Sequence, residues 1–245
     1  MNGTPSAFDL DPRQAHLHPR AVPWHHALAW YEDAMRLFKR APVTWAVLAI
    51  VTVVTEVVLK TVPGVGTLLS QLVTPLVACG LVYGAAATDR GSTPSLRDVV
   101  LAFKAPLHAI AAVIASALVA FVAEAFAAWW IADVNLFDSG SGSAELSAAA
   151  VGGILALGIL ASLPVMFVVF HVLFEHVRPA PAFAASWKAF VLNTMPLLVY
   201  SAASMVLLGF GLATFGLGLA LALPLWAASS YVAWKDIFGI RDAPG

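Results

Sequence analysis

Long runs of apolar residues separated by short polar segments dominate this sequence. Each of six runs is long enough for a helix of roughly 20 residues, the length that crosses a hydrocarbon core about 30 Å thick. The pattern therefore predicts an all-α, polytopic membrane protein with six transmembrane helices. The predicted spans are Ala41–Lys60, Gly66–Thr88, Pro106–Ile131, Leu146–Phe174, Thr194–Ala213 and Phe215–Trp234.

Shorter segments of mixed polarity precede the first, third and fifth spans. They are Trp24–Arg40, Ser95–Lys104 and Ala182–Leu192, and each combines apolar residues with basic ones such as Arg36 and Lys104. This composition is typical of amphipathic helices that lie along a membrane interface. The predicted fold is thus three hairpins, each preceded by an interfacial helix.

Prolines occupy similar places in the three helices that return from the far end of each hairpin. Pro75, Pro164 and Pro224 each lie about 11 to 14 residues before the first charged residue that follows them, which places them near the middle of a bilayer. Each hairpin also starts and ends on the same side of the membrane. The sequence therefore predicts three parallel copies of one unit.

These hairpins form a single predicted transmembrane domain over residues 24–238. A polar arm at 1–23, which we expect to be disordered, precedes the domain, and a short tail at 239–245 follows it. The favoured interpretation of the histidines in and beside the arm is a solvated, pH-sensitive segment, and adventitious metal binding is the alternative. These histidines are His16, His18, His25 and His26.

Composition and charge place the chain in a membrane and indicate its orientation. Charged residues make up 11% of the chain and hydrophobic residues 60%, whereas a soluble domain is about 25% charged. Of the 13 Lys and Arg residues, all but Lys60 fall on the side of the N-terminus when six spans are threaded. This bias predicts that both termini are cytoplasmic. The basic residues are scattered, so no nucleic-acid partner is expected.

One polar cluster near the cytoplasmic side attracts attention as a candidate site. His171 and Glu175 are four residues apart and share a helix face, and His108 begins the partner helix at a similar depth, with His176 beside them. We favour a buried histidine hydrogen-bonded to the glutamate. Side chains at the interface, or a metal or acid–base site acting on a lipid headgroup, are the alternatives. No catalytic motif, metal-binding motif or cofactor motif of soluble enzymes is present.

A second candidate site follows the predicted proline kinks. A proline removes one backbone hydrogen bond from a helix, and nearby polar side chains can satisfy the freed carbonyl or hydrate a cavity. Kinks that only improve helix packing are the favoured interpretation, and a transport path is the alternative. The residues of this candidate path are Gln71, Thr74, Pro75, Ser162, Pro164 and Pro224.

Two glutamates lie within the predicted spans, in the outer third of their helices. Glu56 has Lys60 one turn further on, and Glu124 is placed to reach water at the outer headgroups. We interpret both as interfacial anchors. A proton or ion relay is the alternative, because ionisable groups at membrane depth are costly and frequently functional.

Several short stretches resemble a known family. They are Val62-Pro-Gly-Val-Gly66, Pro75-Leu-Val-Ala-Cys-Gly-Leu81, Asp89-Arg-Gly91 and the ending Tyr231-Val-Ala-Trp-Lys-Asp-Ile-Phe238. Together they are similar to a family of proteobacterial six-helix inner-membrane proteins of unknown function. The resemblance implies a bacterial inner membrane, and it implies no catalytic residues or cofactor.

The leading functional hypothesis is a non-enzymatic inner-membrane protein, an accessory or envelope component that contacts lipids or partner proteins. Its expected partners are the lipid bilayer and either another membrane protein or a second copy of itself. The first alternative is a transporter of a small solute or lipid, with its path at Pro75, Pro164 and Pro224. The second is a membrane enzyme acting on a lipid headgroup. A cavity lined by Gln71, Thr74 and Ser162 is the feature that distinguishes the transporter from the other two.

Overall fold

The computed structural model describes residues 16–136 and 146–240. Within these ranges the chain is helical and has no strand. The described residues also form three short 3-10 helices, at Leu96–Val100, Ala102–Lys104 and Leu163–Val165. The α-helices of the described residues are α1 (His26–Arg40), α2 (Pro42–Lys60), α3 (Gly66–Asp89), α4 (Leu107–Ala132), α5 (Ala148–Ser162), α6 (Val168–Leu173), α7 (Pro179–Leu192), α8 (Thr194–Ala213) and α9 (Leu219–Phe238).

Five helical stretches of the described residues are long and apolar enough to cross a membrane, which identifies the chain as a membrane protein by length and composition. They are Pro42–Lys60, Gly66–Asp89, Leu107–Ala132, Ala148–Val165 and Thr194–Ala213. The helix that corresponds to the sixth predicted span is α9, which begins and ends four residues later than predicted and is not one of these five. Ser229, Ser230, Lys235 and Asp236 lower the hydropathy of its second half.

Consecutive long helices pair as hairpins, with α2 against α3, α4 against α5 and α8 against α9. The ends of α3, α6 and α9 meet the N-terminal segment on one side of the bundle, which we call the near side. The opposite ends form the far side. Helix α9 also packs against α1, α2 and α3, so it contacts helices well beyond its own hairpin.

The fourth predicted span is broken at its proline. Helix α5 ends at Ser162, the 3-10 turn contains Pro164, and α6 begins at Val168. The backbone N–H of Phe167 donates a hydrogen bond to Ser186 Oγ of α7 at 3.2 Å, so a side chain satisfies an amide that the break releases. Pro75 and Pro224, by contrast, lie inside the uninterrupted helices α3 and α9.

Segments predicted to lie at the interface are helical and pack on the near side. Helix α1 buries Trp30 and Leu37 against the bundle. The segment predicted at 95–104 forms two 3-10 helices, and Val99 of this segment packs directly on α3 at Gly80. A Cβ at Gly80 would lie 2.8 Å from the Cα of Val99, so only glycine permits this approach.

Outward faces of the long helices carry many exposed apolar side chains. Val43 and Val54 of α2 and Val122 and Phe126 of α4 are more than half exposed. A soluble monomer rarely exposes such a continuous apolar surface. These faces are therefore where the bundle contacts lipid.

Candidate functional site

A cavity of about 510 Å³ lies at the centre of the helix bundle. Helices α2, α3, α4, α5, α8 and α9 all contribute side chains to its wall. Its volume falls in the range of about 300–1,000 Å³ that is typical of small-molecule sites. The polar side chains on its wall are Thr52, Glu56, Ser70, Gln71, Thr74, Ser116, Glu124, Ser162, Tyr200 and Ser230, and most of the remaining lining residues are apolar.

The structure brings most of the predicted path together around this cavity. Gln71, Thr74 and Pro75 line it from α3, and Ser162 lines it from the end of α5. Pro164 and Pro224 are not lining residues, but their neighbours Leu163, Val165 and Leu223 are. The hydroxyl oxygen of Thr74 is buried and has no hydrogen-bond partner among the described residues.

Glu56 lines the cavity where it approaches the far side. Its Oε1 lies 2.5 Å from Lys60 Nζ, one helical turn further along α2, so the pair expected from the sequence is formed. The Glu56 side chain is 29% exposed. The cavity therefore reaches the protein surface at a carboxylate that is already neutralised by a lysine.

Glu124 lies in the outer third of α4, as predicted from the sequence, and its side chain faces the cavity. It lies eight residues before the end of α4 at Ala132, about 12 Å along the helix axis, and it lines the cavity. Its side chain rests against Gly158 of α5, where an added Cβ would overlap the carboxylate. No hydrogen bond or salt bridge joins this carboxylate to any other residue in the described ranges. In the sequence, only Gly158 indicated this placement, because a glycine on the facing helix leaves room for a glutamate side chain that points inward.

His171 and Glu175 form a buried pair on the near side. Nδ1 of His171 lies 2.6 Å from Glu175 Oε2, and both side chains are 0% exposed. The other carboxylate oxygen accepts hydrogen bonds from the backbone N–H of His16 at 2.9 Å and from its ring Nδ1 at 3.0 Å. Burial alone would raise the pKa of Glu175, but the hydrogen bonds from His171 and His16 outweigh it and hold this pKa below its usual value.

The pair resembles a structural element more than a reactive one. An ionised carboxylate only accepts hydrogen bonds, so Nδ1 of His171 carries the proton. Nε2 of this ring is buried without a partner among the described residues, and the ring packs edge-on against Phe238 at 4.5 Å. Neither residue lines the central cavity or the near-side pocket.

The other two histidines of the predicted cluster do not join this pair. His108 is exposed on the first turn of α4, and no hydrogen bond or salt bridge connects it to His171 or Glu175. His176 is exposed and has a left-handed backbone conformation, with φ of 51°. Within the described ranges, no group of three or more His, Cys, Asp or Glu side chains is placed to hold a metal ion.

Two further carboxylates at the near side are also paired. Asp236 accepts hydrogen bonds from Arg20 at 2.7 Å, His26 at 2.6 Å and Trp30 at 2.9 Å. Burial opposes ionisation of Asp236, but the contacts with His26, Trp30 and Arg20 lower its pKa below the usual value. Asp89 accepts hydrogen bonds from Tyr231 at 3.0 Å and Lys235 at 2.5 Å. The helices α3, α6 and α9 thus all end at or beside a carboxylate with several donors.

Residues 16–22, which we call the N-terminal strap, connect these sites. The backbone N–H of Arg20 donates to the carbonyl of Ile237 at 2.8 Å, and the N–H of Val22 donates to Asn193 Oδ1 at 2.8 Å. Asn193 Nδ2 donates in return to the Arg20 carbonyl at 3.0 Å. The strap therefore lies against the helices, which corrects the expectation of a solvated arm for this part of 1–23. Residues 1–15 lie outside the described residues.

A second pocket of about 600 Å³ opens on the near side between α1 and α9. In its wall Arg36 pairs with Asp33, Arg20 with Asp236 and Lys235 with Asp89, while Arg40 donates to the carbonyl of Thr88. Each carboxylate in its wall thus has a cationic partner. The central cavity differs because it contains a carboxylate without one.

Comparison of the chain with models of protein families, with curated proteins and with solved structures found no match.

Proposed function

We propose that this protein is an integral membrane carrier that binds a small amphipathic molecule in the central cavity. The observation that carries the proposal is a space of about 510 Å³ lined by both polar and apolar side chains. Concave sites of this size, with mostly apolar walls and a few polar groups, are typical of small-molecule binding. The lining of this cavity therefore suits a small amphipathic ligand.

The carrier hypothesis explains the cavity better than the two other hypotheses do. A protein that only contacts lipids or partners through its surface needs no interior space lined by Gln71, Thr74 and Ser162. An enzyme using His171 and Glu175 needs substrate access to them, whereas both side chains are fully buried and outside the cavity. The first alternative from the sequence thus becomes the preferred one.

A topology of six spans in a bacterial inner membrane, with both termini cytoplasmic, belongs to this proposal. Helix α9 has 20 residues, about 30 Å in length, and is sufficient to span a bilayer. All Lys and Arg residues of the described ranges except Lys60 then lie on the near side, which supports a cytoplasmic near side. The three hairpins and their preceding near-side segments support the parallel repeat, and the family resemblance supports the bacterial inner membrane.

The test of ligand binding is photolabelling of the purified protein in lipid nanodiscs. The probe is a medium-chain alcohol bearing a diazirine, which is small, neutral and amphipathic. Mass spectrometry should locate the label on cavity residues of α3 and α4, such as Thr74 and Ala117. Labelling confined to residues on the lipid-facing surface would contradict the proposal.

Two replacements of alanine by phenylalanine on α4 distinguish labelling in the cavity from labelling on the surface. Ala117→Phe places a large side chain in the cavity, whereas Ala115→Phe places the same side chain on an exposed position of the same helix. We expect Ala117→Phe to reduce labelling inside the cavity several-fold and Ala115→Phe to leave it unchanged. Equal cavity labelling in both variants would contradict the proposal.

A further inference from the structure

Glu124 stands out among the acidic side chains of the described ranges that lie at membrane depth. It lines the cavity about 12 Å from the end of α4 and lacks both a hydrogen bond and a salt bridge within those ranges. Removing an ionised carboxylate from water without a partner is expensive. Glu124 is partly buried, and a counter-charge in the cavity would offset the part of this cost that water does not.

The wall of the cavity offers no such counter-charge. Among the described residues that line it there is no Lys, Arg or His. Glu56 is the only other charged side chain among the described lining residues, and its salt-bridge partner Lys60 acts on Glu124 through space without contacting it. Glu124 is thus the one carboxylate of the described wall without a salt bridge, and a negative charge there attracts cations and repels anions.

The remaining wall matches the body of an organic cation better than a metal ion. Phe121, Met166 and Trp226 line the cavity together with several alanines and valines, and aromatic faces and thioethers make favourable contacts with cationic or aromatic groups. A divalent metal needs more oxygen or nitrogen ligands than one carboxylate supplies, and the described ranges contain no such cluster.

We infer that the ligand of the central cavity is an amphipathic organic monocation, whose charged group binds the carboxylate of Glu124 and whose apolar body fills the space between α3, α4 and α9. This inference rests on the proposed carrier function and adds the chemical class of the substrate. Gly158 has a direct part in the site, because its missing side chain provides the room in which the Glu124 carboxylate turns toward the cavity.

The experiment measures binding of ethidium, an aromatic monocation, to the purified protein in nanodiscs made of a zwitterionic lipid. Fluorescence anisotropy gives the affinity of the native protein and of Glu124→Gln, which keeps the shape of the side chain and removes its charge. We expect Glu124→Gln to bind at least tenfold more weakly. Glu32→Gln, the same change on the exposed surface of α1, should bind like the native protein.

Two additional measurements keep the result interpretable. Glu124→Asp retains the charge and should recover part of the affinity, which a purely structural role of Glu124 would not produce. Proteoliposomes with trapped DNA should show faster ethidium entry with the native protein than with Glu124→Gln, since bound ethidium increases in fluorescence. Equal binding by the native protein and Glu124→Gln would overturn the inference.

The neutral diazirine probe separates this inference from the proposed function. If the probe labels the cavity but ethidium does not bind, the substrate is not a cation and the inference alone fails. If neither probe reaches the cavity of the native protein, the carrier proposal fails as well. If ethidium binding depends on Glu124 and Ala117→Phe blocks both probes, the carrier proposal and the inference of a cationic ligand are both supported.

Discussion

Glu175 and Glu124 are two carboxylates in apolar parts of the same chain, and their surroundings are opposite. Glu175 is fully buried and accepts hydrogen bonds from His171 and His16. Glu124 faces a cavity and makes no hydrogen bond or salt bridge with any residue of the described ranges. The two carboxylates therefore have different roles: Glu175 holds structural elements together, whereas Glu124 is open to a partner that the described residues do not supply.

The same contrast separates the near side from the middle of the bundle. At the near side, Asp89, Glu175 and Asp236 are each bound by two or three donors from distant parts of the sequence. In the cavity, the hydroxyl of Thr74 and the carboxylate of Glu124 lack partners in the described ranges. The near-side carboxylates therefore join distant parts of the fold, whereas the carboxylate of Glu124 keeps its hydrogen-bonding capacity for a ligand.

Among the proposed substitutions, Glu175→Ala should cause the largest loss of stability. This change leaves His171 buried without its partner and releases His16, so we expect a loss of about 3–5 kcal/mol in the free energy of unfolding. Denaturant unfolding of the purified protein in detergent micelles measures this loss. Glu32→Ala, on an exposed position of α1, is the control and should change stability by less than about 0.5 kcal/mol. A cost below about 1 kcal/mol for Glu175→Ala would contradict a structural role.

Two glycines of α5 provide the next contrast. A Cβ at Gly158 would overlap the Glu124 carboxylate, whereas a Cβ at Gly152 would have no atom within 4 Å. Gly158→Ala should therefore destabilise the protein by about 1–3 kcal/mol and weaken ethidium binding. Gly152→Ala should leave binding unchanged and raise stability by about 0.5–1 kcal/mol, the helix preference of alanine over glycine. Equal effects on ethidium affinity would show that Gly158 is not part of the site.

Removing the carboxylate of Glu124 should change the free energy of unfolding less than Glu175→Ala does, and should increase it rather than decrease it. Glu124→Leu replaces a carboxylate that lacks protein partners by an apolar side chain, and we expect the free energy of unfolding to increase by about 1 kcal/mol. Ethidium binding should be lost in the same variant. Differential scanning fluorimetry and the anisotropy assay check the two outcomes together. A clear decrease in stability would indicate that Glu124 is a structural residue like Glu175.

The smallest effect is the dependence of stability on pH through Asp236. Its pKa is lowered in the folded protein, so its contribution is complete above its unfolded pKa and is lost as the pH falls through the folded pKa. Asp236→Asn should thus destabilise the protein more at about pH 6 than at about pH 3. The difference should be about 1 kcal/mol or less, because Arg20 is 55% exposed. Thermal unfolding at both pH values would detect it, and an equal cost at both would contradict it.

Long apolar runs determine the parts of the fold that the sequence predicted well. Helix length and hydropathy are local properties, so the boundaries of α2, α4 and α8 lie within a residue of the predicted ones. The break of the fourth run at Pro164 and the continuity of α3 through Pro75 were not distinguishable from sequence. Each outcome depends on neighbours such as Ser186 that are distant along the chain.

In the candidate sites too, contacts between residues close in sequence were predictable, whereas contacts between distant residues were not. The pairs His171–Glu175 and Glu56–Lys60 have i,i+4 spacing, and such spacing predicts contact on a helix. The contact of Glu175 with His16 joins residues 159 positions apart, and no spacing rule predicts it. The inward position of Glu124 depends on which face of α4 packs on Gly158, which hydropathy alone does not determine.

The N-terminal strap has a consequence for the order in which this protein is completed. Arg20 is among the first described residues to be synthesised, yet its partners Asp236 and Ile237 are 216 and 217 positions later in the chain. His16 and Val22 can dock once Glu175 and Asn193 have been synthesised, but the Arg20 side chain must wait for Asp236 of α9. Attachment of the strap is therefore complete only when α9 has reached the bilayer, and a chain that stalls before α9 leaves Arg20 without Asp236 and Ile237.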